Sequence, residues 1–147
     1  MLAKTAIARW DGGLAFDAEA GSGFSLRMDS GEETTGFSPM ELILVGLAGC
    51  TGMDVISILE KMRQQVTGFE VRVVGRRAED HPKVYTEIDV EFVVEGRTVD
   101  PKAVDRAIEL SRDKYCSVSN MLKRVAALNC SYRIVEPEPA AADVERA

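Results

Sequence analysis

An α+β fold with the element order β-β-β-α-β-β-α-α-β is what the sequence predicts, and three features carry the prediction. The first third alternates apolar and polar residues between glycine-rich turns. The middle holds one long, nearly uncharged helical pattern that opens on Ser38-Pro39-Met40-Glu41. The remainder reads as two strands, a second capped helix, a short helix and a last strand, with no internal repeat.

The elements follow in order. Ala3, Thr5, Ile7 and Arg9 alternate with Lys4, Ala6, Ala8 and Trp10, and Asp11-Gly12-Gly13 is a hairpin turn. Leu14 to Ala20 is the returning strand, Gly21-Ser22-Gly23 turns again, Phe24 to Asp29 is a third strand, and Gly31 to Gly36 is a polar loop. Ser38 is placed as an N-cap, with Pro39 at the first helical position and Glu41 three residues after the cap. That helix is expected to reach Gln65, roughly 27 residues and 40 Å at about 1.5 Å per residue. It is apolar almost all round until Asp54, so its first half is expected to be buried, with a kink near Gly49 to Gly52. Phe69 to Val74 and Val84 to Val94 are strands joined by Asp80-His81-Pro82-Lys83, and in the second Ile88, Val90, Phe92 and Val94 share one face. Asp100-Pro101 caps a helix over Lys102 to Lys114 that turns Val104, Ala107, Ile108 and Leu110 inward. A short helix over Ser117 to Ala127 and a strand over Cys130 to Val135 complete a single domain, 1–136, and residues 137–147 form a Pro/Ala/Glu-rich tail expected to fray.

The bulk numbers bound the function. The 147 residues fit one domain, and a net charge of −6 leaves no Lys/Arg stripe to replace phosphate counterions, so nucleic acid is not an expected partner. The basic residues are interleaved with acids as on a solvated face. Met1 to Thr5 is not followed by the apolar run of a signal peptide, and the uncharged stretch Leu42 to Met53 is shorter than the about 20 residues of a membrane span. The expectation is a cytoplasmic protein with no membrane partner. Its three cysteines are then reduced at rest, and any pair of them is redox-active rather than structural.

Glycines at 46, 49 and 52 sit in the long helix, where each costs about 0.5–1 kcal/mol relative to Ala. Something must need close backbone approach there, or access to Cys50. Cys50 and Cys116 are the candidates for chemistry, since only a thiolate reacts and a thiol of pKa about 8.5 must be lowered to supply one at neutral pH. Cys116 stands before a helix N-terminus, which favours an anion. The competing reading makes both cysteines small buried hydrophobes. Cys130 shares a strand face with Tyr132 and Ile134 and reads as core, as do Met53, Met62 and Met121 on helix faces, while Tyr115 either lines a site or fills the core. His81 is the only histidine and belongs to a turn, so no zinc site is expected.

The stretch from Ser38 to Val55 resembles the central-helix motif of the OsmC/Ohr family, the osmotically inducible and organic-hydroperoxide-resistance proteins. Lys114-Tyr115-Cys116-Ser117-Val118-Ser119 resembles that family's second-cysteine motif, and Asp80 to Thr86 resembles its OsmC-like, YhfA-type branch. The likeness runs from about Lys4 to Val135. It implies an OsmC-like fold in an intertwined homodimer with buried central helices, whose glycines let the two helices pack closely. It also implies a thiol peroxidase that needs no metal, haem or flavin. Cys50 would attack a hydroperoxide and become a sulfenic acid, and Cys116 would close a disulfide that an external thiol reductant reopens. Family peroxidases add an Arg and a Glu. Here the usual Glu position holds Met40, so Glu41 is the carboxylate candidate, with a capping-box role as its alternative. Arg27 is the first candidate for the Arg and Arg9 the second. The alternative to an enzyme is the same fold used as a redox sensor or as a binder of a small apolar ligand.

Overall fold

The computed structural model describes residues 2–137, and the sequence's expected tail lies, from residue 138 on, outside the described residues. The chain divides into two compact units between Ile43 and Leu44. In the first, β1 (Ala6–Trp10), β2 (Phe16–Ala20) and β3 (Ser25–Met28) form an antiparallel meander in the order β1-β2-β3. Gly12 (φ +90°), Gly13 (φ +53°) and Gly23 (φ +94°) occupy left-handed backbone in the two turns, as their sequence signals require. A parallel bridge between Met28 and Phe37 ties the following loop back to the sheet.

Helix α1 (Pro39–Lys61) begins with a capping box: Glu41 N–H donates to Ser38 Oγ (3.2 Å), and Ser38 N–H donates to Glu41 Oε1 (2.9 Å). It ends four residues before Gln65, because Arg63 turns left-handed (φ 59°) and Gln64 N–H reaches back to the Leu59 carbonyl (2.9 Å). Between these ends it is continuous through all three glycines.

The second sheet has the order β4-β5-β6, with β4 (Gly68–Arg77) antiparallel to β5 (Tyr85–Glu95) and β6 (Ala127–Val135) parallel to β5. Ile88, Val90, Phe92 and Val94 are buried together on one face, as their alternation predicts. Phe69 stacks on Phe92 with ring centroids 6.4 Å apart. The opposite face carries cross-strand ion pairs such as Arg76–Asp89 and Arg72–Glu91. Leu47, Thr51, Gly52, Val55 and Leu59 form the buried face of α1, with Gly52 set against Val71.

The expected all-round burial of the first half of α1 does not hold among the described residues. Ile43, Val45 and Met53 are exposed, Met53 at 74%. A Cβ added at Gly46 or Gly49 would meet nothing within 4 Å, whereas one at Gly52 would stand 3.2 Å from Val71 Cγ2. The three glycines therefore have two different reasons. Gly52 makes room for the sheet of its own unit, and Gly46 and Gly49 lie on a side of the helix that the described residues of that unit leave open.

Helix α2 (Pro101–Leu110) is capped by Asp100, whose carboxylate accepts from Lys102 N–H (2.9 Å), and it buries Ala103, Val104, Ala107 and Ile108. The sequence extends this helix to Lys114. Instead Ser111–Tyr115 forms a π-helical turn, and α3 (Ser117–Leu122) starts directly after Cys116 and is shorter than expected.

Candidate functional site

The π-turn decides where Cys116 sits. Cys116 N–H closes the turn on the Ser111 carbonyl (2.7 Å), and the Cys116 carbonyl accepts from the Asn120 side chain (2.8 Å). Its sulfur accepts from Ser119 N–H at 3.3 Å, the N-capping geometry expected where a strand-like residue opens a helix. The side chain is fully buried. Burial pushes the Cys116 thiol up, and the Ser119 hydrogen bonds, which favour the thiolate, do not offset it. The help expected from the helix N-terminus is thus present but outweighed, because desolvation penalises the anion more than one short turn stabilises it.

Cys50 stands beside Cys116, close enough to raise that thiol further through hydrogen bonding and charge. Both are free thiols, Cys116 buried and Cys50 half-buried near the middle of α1. The structure therefore brings together the two cysteines that the sequence singles out.

The elements that carry the pair also carry polar residues that the sequence reading passed over. Ser111 Oγ donates to Asp54 Oδ2 (3.0 Å) and lies 2.7 Å from Thr51 Oγ1, with Ser111 and Thr51 both buried. Thr51 and Asp54 fall three residues apart in an otherwise apolar helix pattern, which is the signal that could have found them.

Cys130 is not the core residue expected. It is half-buried and lines a groove of about 420 Å³ with Ile108, Arg112 and Tyr132 between α2 and β6. Burial pushes its thiol up, and the nearby Arg112 guanidinium acts in the opposite direction. Tyr115 is about half exposed and borders a smaller depression with Asp54, Ser57 and Lys61. Met53 and Met121 are exposed rather than packed.

The two side chains expected to assist the first cysteine both lie in the first unit. Arg27 donates to Asp11 (2.9 Å), Asp17 (3.0 Å) and Thr35 Oγ1 (2.8 Å). These carboxylates hold its guanidinium firmly protonated. Hydrogen bonding from Ser38, its backbone N–H first and its hydroxyl second, holds the Glu41 carboxyl below the usual carboxylate range. Arg27 and Glu41 line one depression of about 500 Å³ with Thr34, Thr35 and Phe37. Among the described residues, Arg9 pairs with Glu19 (3.4 Å) on an exposed strand.

The two-sheet α+β architecture with a central helix bearing one cysteine and a turn bearing the other defines an OsmC-type protein. Residues 30–131 match the family model described as OsmC-like protein, and the chain belongs to that family. It is 41% identical over 127 residues to protein YhfA of Escherichia coli K12, a match covering 86% of this chain and 95% of that protein. Among solved structures, a hypothetical protein from Aquifex aeolicus VF5 is similar at a TM-score of 0.85 and 35% identity, covering 94% of this chain and 100% of that one. An organic hydroperoxide resistance protein, OsmC, from Legionella pneumophila shares the fold at a TM-score of 0.68 and 14% identity, covering 90% and 97%.

Proposed function

We propose that this protein is a cofactor-free, two-cysteine peroxidase that reduces organic hydroperoxides and works as a homodimer in the cytoplasm. The observation that carries the reading is the juxtaposition of Cys50 and Cys116. Their unequal burial supports an order of events. The half-buried Cys50 is open to a substrate, while the fully buried Cys116, its thiol pushed up by burial, is poorly suited to attack one.

In this reading the Cys50 thiolate attacks the distal oxygen of the hydroperoxide. The O–O bond breaks, the alkoxide takes a proton and leaves as an alcohol, and Cys50 becomes a sulfenic acid. Cys116, on losing its proton, attacks the Cys50 sulfur and expels the sulfenic hydroxyl as water. Two external thiols, or one dithiol, then reduce the disulfide. Arg27 and Glu41, which share one depression, are the groups proposed to orient the peroxide. Family membership and a fold shared with proteins named for organic hydroperoxide resistance support the substrate class. The open stripe of Val45, Gly46, Gly49 and Met53 supports a second copy as the cover for α1.

The test is stopped-flow oxidation of the fully reduced protein by cumene hydroperoxide and by hydrogen peroxide, followed by peptide mapping. Fast oxidation, quicker with the organic peroxide and ending in a Cys50–Cys116 bond, is expected. Cys50→Ser should abolish it, and Cys116→Ser should stop it at a sulfenic acid. A Cys50→Ser variant with full activity overturns the proposal. Arg27→Gln should slow the first step alone.

One observation favours the second reading, a redox sensor or binder of a small apolar ligand. Arg27 and Glu41 are already committed to other partners, Arg27 to two carboxylates and Glu41 to a helix cap. An oxidation rate no faster than that of a free thiol would select it, and the apolar trough of about 440 Å³ beside Ile7, Phe24 and Leu26 would be the place to look for the ligand.

A further inference from the structure

We propose that Ser111 is a positioning residue that sets Cys116 against Cys50 by tying the π-turn to the central helix. The inference rests on the two-cysteine reading and names what makes the second step fast.

Ser111 is joined to both cysteine-bearing elements. Through its main chain it holds Cys116: the Ser111 carbonyl accepts from Cys116 N–H at 2.7 Å, the bond that defines the π-turn. Through its hydroxyl it holds α1, at 2.7 Å from Thr51 Oγ1 and 3.0 Å from Asp54 Oδ2. Thr51 directly follows Cys50, and Asp54 lies one turn beyond Cys50 on the same side of the helix. The proton directions follow from valence. The Ser111 hydroxyl has one proton and gives it to Asp54, so Thr51 donates to Ser111.

This arrangement is specific rather than merely satisfied. Ser111 N–H is also bonded, to the Ala107 and Ile108 carbonyls, so the residue is fixed at its N–H, its carbonyl and its side chain. A regular continuation of α2 would bond Cys116 N–H to the Arg112 carbonyl. In the π-turn that carbonyl instead accepts from the Asn120 side chain (3.3 Å). The wider turn places Cys116 between α2 and α3, and the hydroxyl clamp fixes where that turn stands along α1. π-turns within helices recur at functional sites for this kind of local re-aiming.

Removing the hydroxyl should loosen the register of the two cysteines without unfolding the chain. In Ser111→Ala the Thr51 hydroxyl can turn to a carbonyl of its own helix, and Asp54, only half-buried, can be solvated.

The experiment uses the full chain in two arms. In the first, without peroxide, the reduced protein is equilibrated in glutathione redox buffers, and the Cys50–Cys116 disulfide is quantified by peptide mass mapping. Ser111→Ala should lower the effective concentration of the pair about tenfold, equivalent to about 30 mV. Thr51→Val should lower it in the same direction, and Thr51→Ser, which keeps the donor, should restore it. In the second arm one equivalent of cumene hydroperoxide is added and Cys50 sulfenic acid is trapped with dimedone. Ser111→Ala should form it at the parent rate but close the disulfide about tenfold more slowly, so that trapped adduct accumulates. A general loss of structure would slow both steps or neither.

A parent protein that closes the bond in glutathione but ignores the peroxide would sink the peroxidase reading and leave this one standing. Ser111→Ala and Thr51→Val with parental effective concentration overturn the proposal, as does a parent that forms no Cys50–Cys116 bond at any glutathione poise. Should Ser111→Ala fail to fold, Thr51→Val decides alone.

Discussion

Replacing Gly49 by leucine tests whether the open side of α1 meets a second copy of the chain. Within one chain the change should be harmless or favourable. An added Cβ meets nothing within 4 Å, and filling an interior helical glycine with a good helix former gains about 0.5–1 kcal/mol. Against a second helix the sign reverses. Forcing a side chain into a packed contact costs about 1–3 kcal/mol per site, and a two-fold interface carries the substitution twice. The expected net penalty is about 2–6 kcal/mol, at least about a 30-fold rise in the dissociation constant. Sedimentation equilibrium of parent and variant over a wide concentration range reads this directly, and urea unfolding at several protein concentrations separates dimer loss from chain stability. A variant that assembles as tightly as the parent would refute the argument. So would a monomeric parent that simply becomes more stable by the helix-propensity increment.

Three further outcomes are expected. Ser38→Ala should lower stability by about 1 kcal/mol in urea melts, because it removes the acceptor of Glu41 N–H, while Glu41→Gln should keep the reciprocal half of the box and change little. Gly52→Val should destabilise by about 1–3 kcal/mol, since even a Cβ there would press on Val71 at 3.2 Å, and it should do so without altering assembly in the folded fraction. Burial pushes the Cys116 and Cys130 thiols up in the folded state, so the unfolded chain ionises first. Their contribution to stability is complete below the ordinary thiol value of about 8.5 and is lost as pH rises through the higher folded values. Unfolding midpoints under reducing conditions should therefore fall above that pH, with a shallower fall in Cys116→Ala.

The parts legible in the sequence are those that obey a local rule. Alternation placed Ile88, Val90, Phe92 and Val94 on the buried face of β5, glycine pairs marked the turns of the first sheet, and Ser38 to Glu41 announced the start of α1. What escaped depends on non-local balance. The end of α1 is set by a left-handed arginine, Arg63, at a position where no glycine announces a stop. Ser111-Arg112-Asp113-Lys114-Tyr115 contains no helix breaker and reads as more α2, yet it winds as a π-turn whose ends are held by Ser111, Cys116 and Asn120. Of the candidate site, the two cysteines were legible from their motifs. The Thr51, Asp54 and Ser111 hydroxyl–carboxylate cluster was not, because its members are 57 and 60 positions apart across the cluster and only the fold brings them together.

The two cysteines have different surroundings, Cys50 half-buried and Cys116 buried, and the proposed reaction gives each a reason. A thiol that must meet a substrate has to be reachable, and Cys50 is half-buried, one turn along α1 from Gly46 and from the exposed Met53. A thiol that only has to meet the oxidised Cys50 gains nothing from exposure. Burying Cys116 raises its pKa and weakens it against any external electrophile, but its one proposed target stands beside it, where high effective concentration outweighs low thiolate fraction. In that reading the same burial would shield Cys116 from adventitious oxidation until Cys50 has reacted. The open stripe then links assembly to chemistry. A second copy seated over Gly46 and Gly49 would also form a wall beside Cys50, so a variant that separates the subunits should change the rate of the first oxidation step while leaving the Cys116 environment as it was.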